Sequence, residues 1–553
     1  MKKNMLAALI LVEMVLFECP IASQEQICQE ALSQISADSI KKHLVYLASD
    51  ELAGRGTGTP GGEKAARYLS NQFRKYNLKP VGDNRTYFQK IPMHGSLSLN
   101  ESKLQLLTPT RAEDFVLKRD YLLYKTGAQT FIPQPVPLVF VGYGIIAPEF
   151  DYNDYQYQNV AGKIVVFLSG EPPSSDPAYF NGADPTVYSY PEAKQRIAIS
   201  RGAKGSILIP TPRAERGRTW RYWVDTFEFE DVTLAYSVIS NLSLIMNPNA
   251  AEKLFIGADY TLRQLFEMEK TNLIRSFRLN TKLSFKGKFN EREFFASNVV
   301  GLLAGAQRKP NDRYLLISAH YDHLGVGRPV AGDSIYNGVQ DNAIGVAGLL
   351  EIARVFSIQS QQPKRSVLFL LTTGEEKGLL GSTYYVDHPI FPLYKTIANI
   401  NIDGLALFDT FNDIIGVGAE LSTLETLLKK VSAELNLTVS PIPSPFLDDE
   451  SFARSDQISF AKAGIPSILI AEGLDFRHYS TEAALKQMLD WAEKVYHTPF
   501  DDLDQPMNLV AAQQHCQVIF SFCCQLANSS FTPEWVAGTP FVNARLQSIA
   551  EKK

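Results

Sequence analysis

Histidine and carboxylate gather where apolar runs of this chain end. "SAHYDHLG" follows "YLLI" and supplies His320, Asp322 and His323; "SVLFLLTTG" runs into Glu375 and Glu376; "TIANINID" closes on Asp403. Asp341 opens "DNAIGVAGLLEIARVF", and His497 arrives in "VYHTPFDD". Singly, each has an ordinary structural explanation: a helix N-cap for Asp341, a favourable helix-start charge for the glutamates, a turn for Asp403, a satisfied loop histidine for His497. Together they do not, because independent accidents would not place imidazole and carboxylate at successive strand ends on one rim. Two histidines with three carboxylates form a nitrogen and oxygen donor set that suits zinc. Five ligands exceed what one zinc with an open position takes. Two ions fit the count: His320 and Asp403 on one, a glutamate (Glu376) and His497 on the other, Asp341 between them. Two such ions, roughly 3.5–4 Å apart, generate hydroxide from a trapped water and polarise a carbonyl, which is the chemistry of hydrolysis.

Asp322 lies two residues beyond His320, on the same side of an extended chain, and is placed to steady the imidazole through its other ring nitrogen. By the same alternation His323 faces away as a spectator. Of the paired glutamates, one is needed as ligand and one to carry a proton from water to the leaving amine; spacing does not choose between them.

The elements that must position these groups are legible as patterns. After about residue 290, near-continuous apolar runs alternate with helical periodicity, which predicts an α/β fold: a mostly parallel twisted sheet flanked by helices. In such sheets the ligand site lies outside the carboxyl ends of the strands. Ile40, Leu44 and Leu47, then Ala65, Leu69, Phe73 and Tyr76, recur at helical spacing and predict two leading amphipathic helices. Between them, "ELAGRGTGTPGG" lacks the lysine-serine ending and the preceding strand of a phosphate loop, so it reads as a connector. From about Phe131 to about Asn290 the texture changes to short strands separated by turn residues, as in "VPLVFVGYGI", "GKIVVFLSG" and "GSILIP". This stretch reads as an inserted, smaller, β-rich domain with its own core, and it holds none of the chain's eight histidines.

A chain of 553 residues is too long for one ordinary core, in keeping with a second domain. Lys+Arg 54 against Asp+Glu 59 leaves a net charge of -5, which gives no electrostatic basis for holding nucleic acid. The N-terminus carries Lys2 and Lys3, an apolar stretch from Met5 to Val12, and small residues at Ala22 and Ser23. This layout predicts a signal peptide over 1–23 and an exported protein, periplasmic or extracellular, with a lipid anchor at Cys19 as the weaker alternative. No later segment is long and apolar enough to span a bilayer. Cys28, Cys516, Cys523 and Cys524 then allow one or two disulfides of open pairing, and the adjacent pair lacks zinc-ligand spacing.

The set "SAHYDHLG", "DNAIGVAGLLEIAR", "TTGEEKGLLGS", "NIDGLALFD" and "YHTPFDD" resembles the di-zinc aminopeptidases of metallopeptidase family 28. The block "VPLVFVGYGI... GKIVVFLSGEPP... GAKGSILIP" resembles the protease-associated (PA) domain often inserted in that family, and the opening around "ELAGRGTGTPGG" resembles its leader. The resemblance implies a zinc exopeptidase fold, a peptidase domain split over 24–130 and 291–530, a PA-like insert over 131–290, and a C-terminal tail over 531–553. It implies two Zn²⁺ ions held by His320, Asp341, Glu376, Asp403 and His497 with Asp341 bridging, Glu375 as general base, and Asp322 as supporting carboxylate. Gln457, where the family often has histidine, and the extra chain before His497 depart from the pattern at the expected substrate pocket. The implied activity is removal of N-terminal residues from peptides, with oligomeric state left open. Two rivals share the fold: a glutamate-releasing carboxypeptidase, which would read a substrate carboxylate through Arg454 and Arg477, and a catalytically inactive binding or receptor relative, which would be expected to have lost ligands. A glutaminyl cyclase is weaker, since those relatives lack the insert.

Overall fold

The computed structural model describes residues 24–551 apart from 125–130, 183–185, 216–217, 238–240, 307–312 and 447–450. The expected signal peptide and the anchor at Cys19 lie outside the described residues. Two sheets organise the chain. Across the first, the strands run Asp231–Leu234, Phe88–Ser98, Phe289–Leu303, Ser366–Thr372, Tyr314–His320, Thr396–Asn401, Ser467–Glu472, Asp413–Val417 and Thr438–Val439. Tyr314–His320 is parallel to both of its neighbours, and Thr396–Asn401 is parallel to Ser467–Glu472. The parallel pairing expected across the sheet holds at this centre and between the edge strands Asp413–Val417 and Thr438–Val439, whereas Phe289–Leu303 runs antiparallel to Ser366–Thr372 and to Phe88–Ser98. The apolar-run argument applies only to strands buried on both faces, and those are the central ones, with every residue of Tyr314–His320, Ser366–Thr372 and Thr396–Asn401 buried.

Alternation along these strands builds a core on each face. Leu315, Ile317 and Ala319, with Val367, Phe369 and Leu371, pack into one core with helices Ala37–Leu47, Pro60–Lys75, Ile344–Ile358 and Leu509–Asn528. Leu316, Leu368 and Leu370 face the other way, onto Tyr385 and Phe460. The predicted leading helices are therefore real, and their apolar stripes bury Ile40, Leu44 and Leu47, and Ala65, Leu69 and Phe73.

The second sheet runs Ala112–Phe115, Lys103–Leu107, Phe277–Lys286, Phe131–Phe140, Ile164–Leu168, Gly205–Ile209, Leu242–Met246 and Tyr121–Leu123. It has its own cores on both faces, Ile164, Val166 and Leu168 on one and Val165 and Phe167 on the other. Three of its strands precede Phe131. In return Asp231–Leu234, from the middle of this stretch, crosses to the first sheet and pairs antiparallel with Phe88–Ser98. Cys28 and Cys524 form a disulfide that ties the chain's start to its last long helix, while Cys516 and Cys523 are free and buried.

His43, 4% exposed on the first leading helix, lies with its ring nitrogens 2.7 Å and 3.0 Å from the hydroxyls of Tyr68 and Tyr76. Burial lowers its pKa from 6.5 to about 4 despite the Glu351 carboxylate, with Lys42, Lys75 and Arg354 adding to the depression. The unfolded chain takes up this proton below pH 6.5 while the folded chain refuses it until about 4. Stability contributed by His43 is thus present above 6.5 and lost as pH falls toward 4, by about 3 kcal/mol at most. Urea midpoints at pH 7 and pH 5 should differ less in His43→Gln than in the wild type; an unchanged difference would remove His43 from the account.

Candidate metal centre

Each functional side chain sits where the chain leaves a regular element. His320 is the last residue of its strand and 1% exposed; its Nε2 lies 3.1 Å from Asp403 Oδ1 and 3.3 Å from Asp341 Oδ1. Asp341 lies in a turn just before helix Ile344–Ile358. The turn starts at Gly338, φ 59°, where an added Cβ would fall 2.1 Å from the Asp341 carbonyl oxygen, so only glycine fits. The other oxygen of Asp341 lies 3.1 Å from His497 Nε2, and that nitrogen is 3.2 Å from Glu376 Oε2. Asp341 thus faces His320 with one oxygen and His497 with the other. His320, Asp341, Glu376, Asp403 and His497 form one continuous cluster.

Asp322 and His323 behave differently from expectation. The imidazole Nδ1 of His320 is 3.2 Å from the backbone oxygen of Asp322 and 3.9 Å from its carboxylate, so the carbonyl is the closer partner. The carboxylate instead accepts from the Glu375 amide at 3.2 Å and the Thr57 hydroxyl at 2.9 Å. His323 is fully buried, and its Nδ1 lies 2.6 Å from Glu376 Oε1. The strand ends at His320, so strand alternation no longer governs His323. Gln457, expected at the substrate pocket, lies inside: its side chain accepts from Asn401 at 2.9 Å and donates to the Phe452 carbonyl at 2.9 Å.

Sequence reasoning missed two further groups. Asp501 accepts from the backbone amides of Gln340 at 2.9 Å and Asp341 at 3.1 Å, fixing the turn; its only signal was its place in "HTPFDD". Tyr496 stacks on His497 with ring centroids 3.8 Å apart. Partial burial, then the carboxylates of Asp341, Glu376, Glu375 and Asp403, hold its phenol well above its usual range.

The electrostatics favour a cation. Burial opposes protonation of His320 and His497, yet Asp403 and Glu375 around the first, and Glu376 and Asp341 around the second, hold both imidazoles well above the usual histidine range. Glu375 is itself pushed well up, by burial and then by Asp403, Glu376 and Asp456 against the pull of His320. Carboxylates outnumber the cations that could balance them, and a divalent ion supplies that balance. Ligand atoms of His320, Asp341 and Asp403 lie within 4.8 Å of one another, as do those of His323, Asp341 and Glu376. Both donor sets suit zinc.

Residues 298–523 match the model of peptidase family M28. Over 120 residues it is 35% identical to a "Probable zinc metalloprotease" of Pyricularia oryzae, covering 22% of this chain and 21% of that protein. It is 28% identical over 223 residues to the "Probable glutamate carboxypeptidase VP8" of Zea mays, covering 37% and 28%. A "Vacuolar membrane protease" of Verticillium alfalfae is 35% identical over 86 residues, covering 16% of this chain and 8% of that protein. The chain spans less than a third of the length of these relatives. Among solved structures, an aminopeptidase from Aneurinibacillus sp. strain AM-1 shares the fold, with TM-score 0.55 and 19% identity over 93% of this chain and 98% of that one.

These relatives correct the expectation of export. Vacuolar membrane protease is also the name of relatives from Pyrenophora tritici-repentis and Lodderomyces elongisporus, a name at odds with export to the periplasm or the medium. The reason for the misreading is physical: a basic pair before an apolar stretch encodes hydropathy, and hydropathy does not encode destination. Among the described residues no helix is long and apolar enough to cross a membrane.

Proposed function

We propose that the chain is a two-zinc aminopeptidase. The observation that carries this is the convergence of His320, Asp341, Glu376, Asp403 and His497, from five separate stretches of sequence, into one cluster. His320 and Asp403 would hold one ion, Glu376 and His497 the other, and Asp341 both. When bound, the ions would lower the pKa of a water between them and polarise the scissile carbonyl. Glu375 takes the proton of the attacking water and delivers it to the leaving amine. The amide of Glu375 donates to Asp322, which keeps that carboxylate in its positioning role. The Tyr496 phenol, stacked on His497, can donate to the oxyanion. The acidic surroundings meet the ammonium of a peptide N-terminus. The second sheet, whose strands lie between Lys103 and Lys286, would form the PA-like insert, and the first sheet with its helices the peptidase domain.

A glutamate-releasing carboxypeptidase needs cations that read a substrate carboxylate out of water. Arg454 and Arg477 are both exposed, which favours the aminopeptidase reading. An inactive relative is disfavoured because the five ligands and Glu375 are all present. Amino-acid anilides assayed with and without chelator, beside a peptide ending in glutamate, test the assignment. Chelator-sensitive anilide cleavage is the expected result; release of C-terminal glutamate without anilide cleavage would overturn it.

A further inference from the structure

The glycine-rich segment read as a connector runs directly beneath the metal centre. Its Arg55, 1% exposed, spends its guanidinium on four backbone carbonyls: Nε donates to Tyr321 at 2.8 Å, Nη1 to Leu47 at 2.7 Å and to Asn337 at 2.5 Å, and Nη2 to Gly338 at 2.9 Å. Tyr321 follows the ligand His320, and Gly338 begins the turn that presents Asp341. Two residues on, the Thr57 hydroxyl donates to Asp322 Oδ2 at 2.9 Å. Gly56 forms a bridge with His323, whose amide donates to the Arg55 carbonyl at 3.4 Å. The glycines serve this close approach: a Cβ on Gly54, φ +67°, would lie 2.4 Å from the Tyr336 carbonyl oxygen and 2.5 Å from that of Gly325.

We infer that Arg55 and Thr57 are positioning residues for the metal centre, a brace that fixes the end of strand Tyr314–His320 against the Asp341 turn; this rests on the two-zinc reading above. Neither residue touches a metal ligand's donor atom. The brace acts on backbone, setting where His320 and Asp341 stand before any ion arrives. A planar guanidinium can serve several carbonyls at once, whereas an ammonium offers three donors from one point. Lysine is therefore no conservative replacement here. Asp322, tethered from one side by Thr57 and from the other by the Glu375 amide, links the brace to the proton carrier.

The test uses the full chain with Arg55→Lys, Thr57→Val, Thr57→Ser, and, as a control for lost stability alone, Leu244→Ala in the core of the second sheet. Zinc affinity is read by competition with a chromophoric chelator, and kcat and KM are read on an anilide. Thr57→Val is expected to weaken zinc binding or lower kcat by about 10- to 100-fold with KM little changed, Arg55→Lys to do so at least as strongly, and Thr57→Ser to restore wild-type values. Leu244→Ala should lower the Tm and leave zinc affinity as in the wild type. If Arg55→Lys does not fold, Thr57→Val against Thr57→Ser still decides. Wild-type zinc affinity and kcat in both Thr57→Val and any folded Arg55→Lys would overturn the brace while the two-zinc reading stands. A folded wild type that neither takes up zinc nor cleaves anilide would overturn that reading and the brace with it.

Discussion

Glu375→Gln should take up zinc like the wild type and lose about 10²- to 10⁴-fold in kcat, the range that removing a positioned proton carrier usually costs. Glutamine keeps the size and the backbone amide that donates to Asp322, so the frame of the site survives. What it removes is a basic oxygen. Among the described residues, the ion-pair distances that define the cluster connect His320, Asp341, Glu376, Asp403 and His497 without Glu375, which is why metal uptake should be spared. Glu376→Gln is the internal comparison. Glu376 is engaged by His323 and His497, and these imidazoles draw its pKa down to about 2 against burial and the Asp341 charge. Its loss should reach zinc content as well as turnover. Elemental analysis beside kcat on an amino-acid anilide separates the two glutamates; zinc lost equally from both, or Glu375→Gln retaining a tenth of wild-type kcat, would reverse the assignment.

Why the sequence disclosed some of these groups and hid others follows from how each acts. His320, Glu376 and Asp403 stand at the ends of fully buried strands, and such strands announce themselves as unbroken apolar runs. Their proposed roles rest on side-chain donor atoms, so residue type alone betrays them. Arg55 and Asp501 act on backbone carbonyls and amides, 266 and 160 residues away for Tyr321 and Asp341. Nothing in a local pattern marks a side chain whose partner is a distant peptide group. The glycines of the leading loop looked like punctuation because their role is to admit another strand's carbonyl, not to turn the chain. His323 was misplaced by extending strand alternation one step past the strand's end. The antiparallel flank of the central sheet was equally hidden, since Phe289–Leu303 mixes buried and exposed residues without the continuous apolar texture of its neighbours. The disulfide joins cysteines 496 residues apart, a pairing that only the packing of the first helix against the last long one specifies.

Asp341→Ala should remove zinc from both positions and abolish turnover with it. The expectation comes from Asp341 presenting one oxygen to His320, at 3.3 Å, and the other to His497, at 3.1 Å. A residue serving one ion would behave differently, and Asp403, which pairs with His320 and would share with it a single ion, provides that case: Asp403→Ala should retain one ion. Partners that merely orient ligands cost about 10- to 100-fold in metal affinity when removed, so a shared ligand should cost more than about 100-fold. The turn itself should persist in Asp341→Ala, because Asp501 holds it through the amides of residues 340 and 341, which alanine retains. Lost zinc would then report a lost ligand and not a collapsed loop, and unchanged near-ultraviolet circular dichroism of the metal-free variant checks that step. Zinc content equal to that of Asp403→Ala would take Asp341 out of the bridging position; zinc content equal to the wild type would take it out of the metal centre.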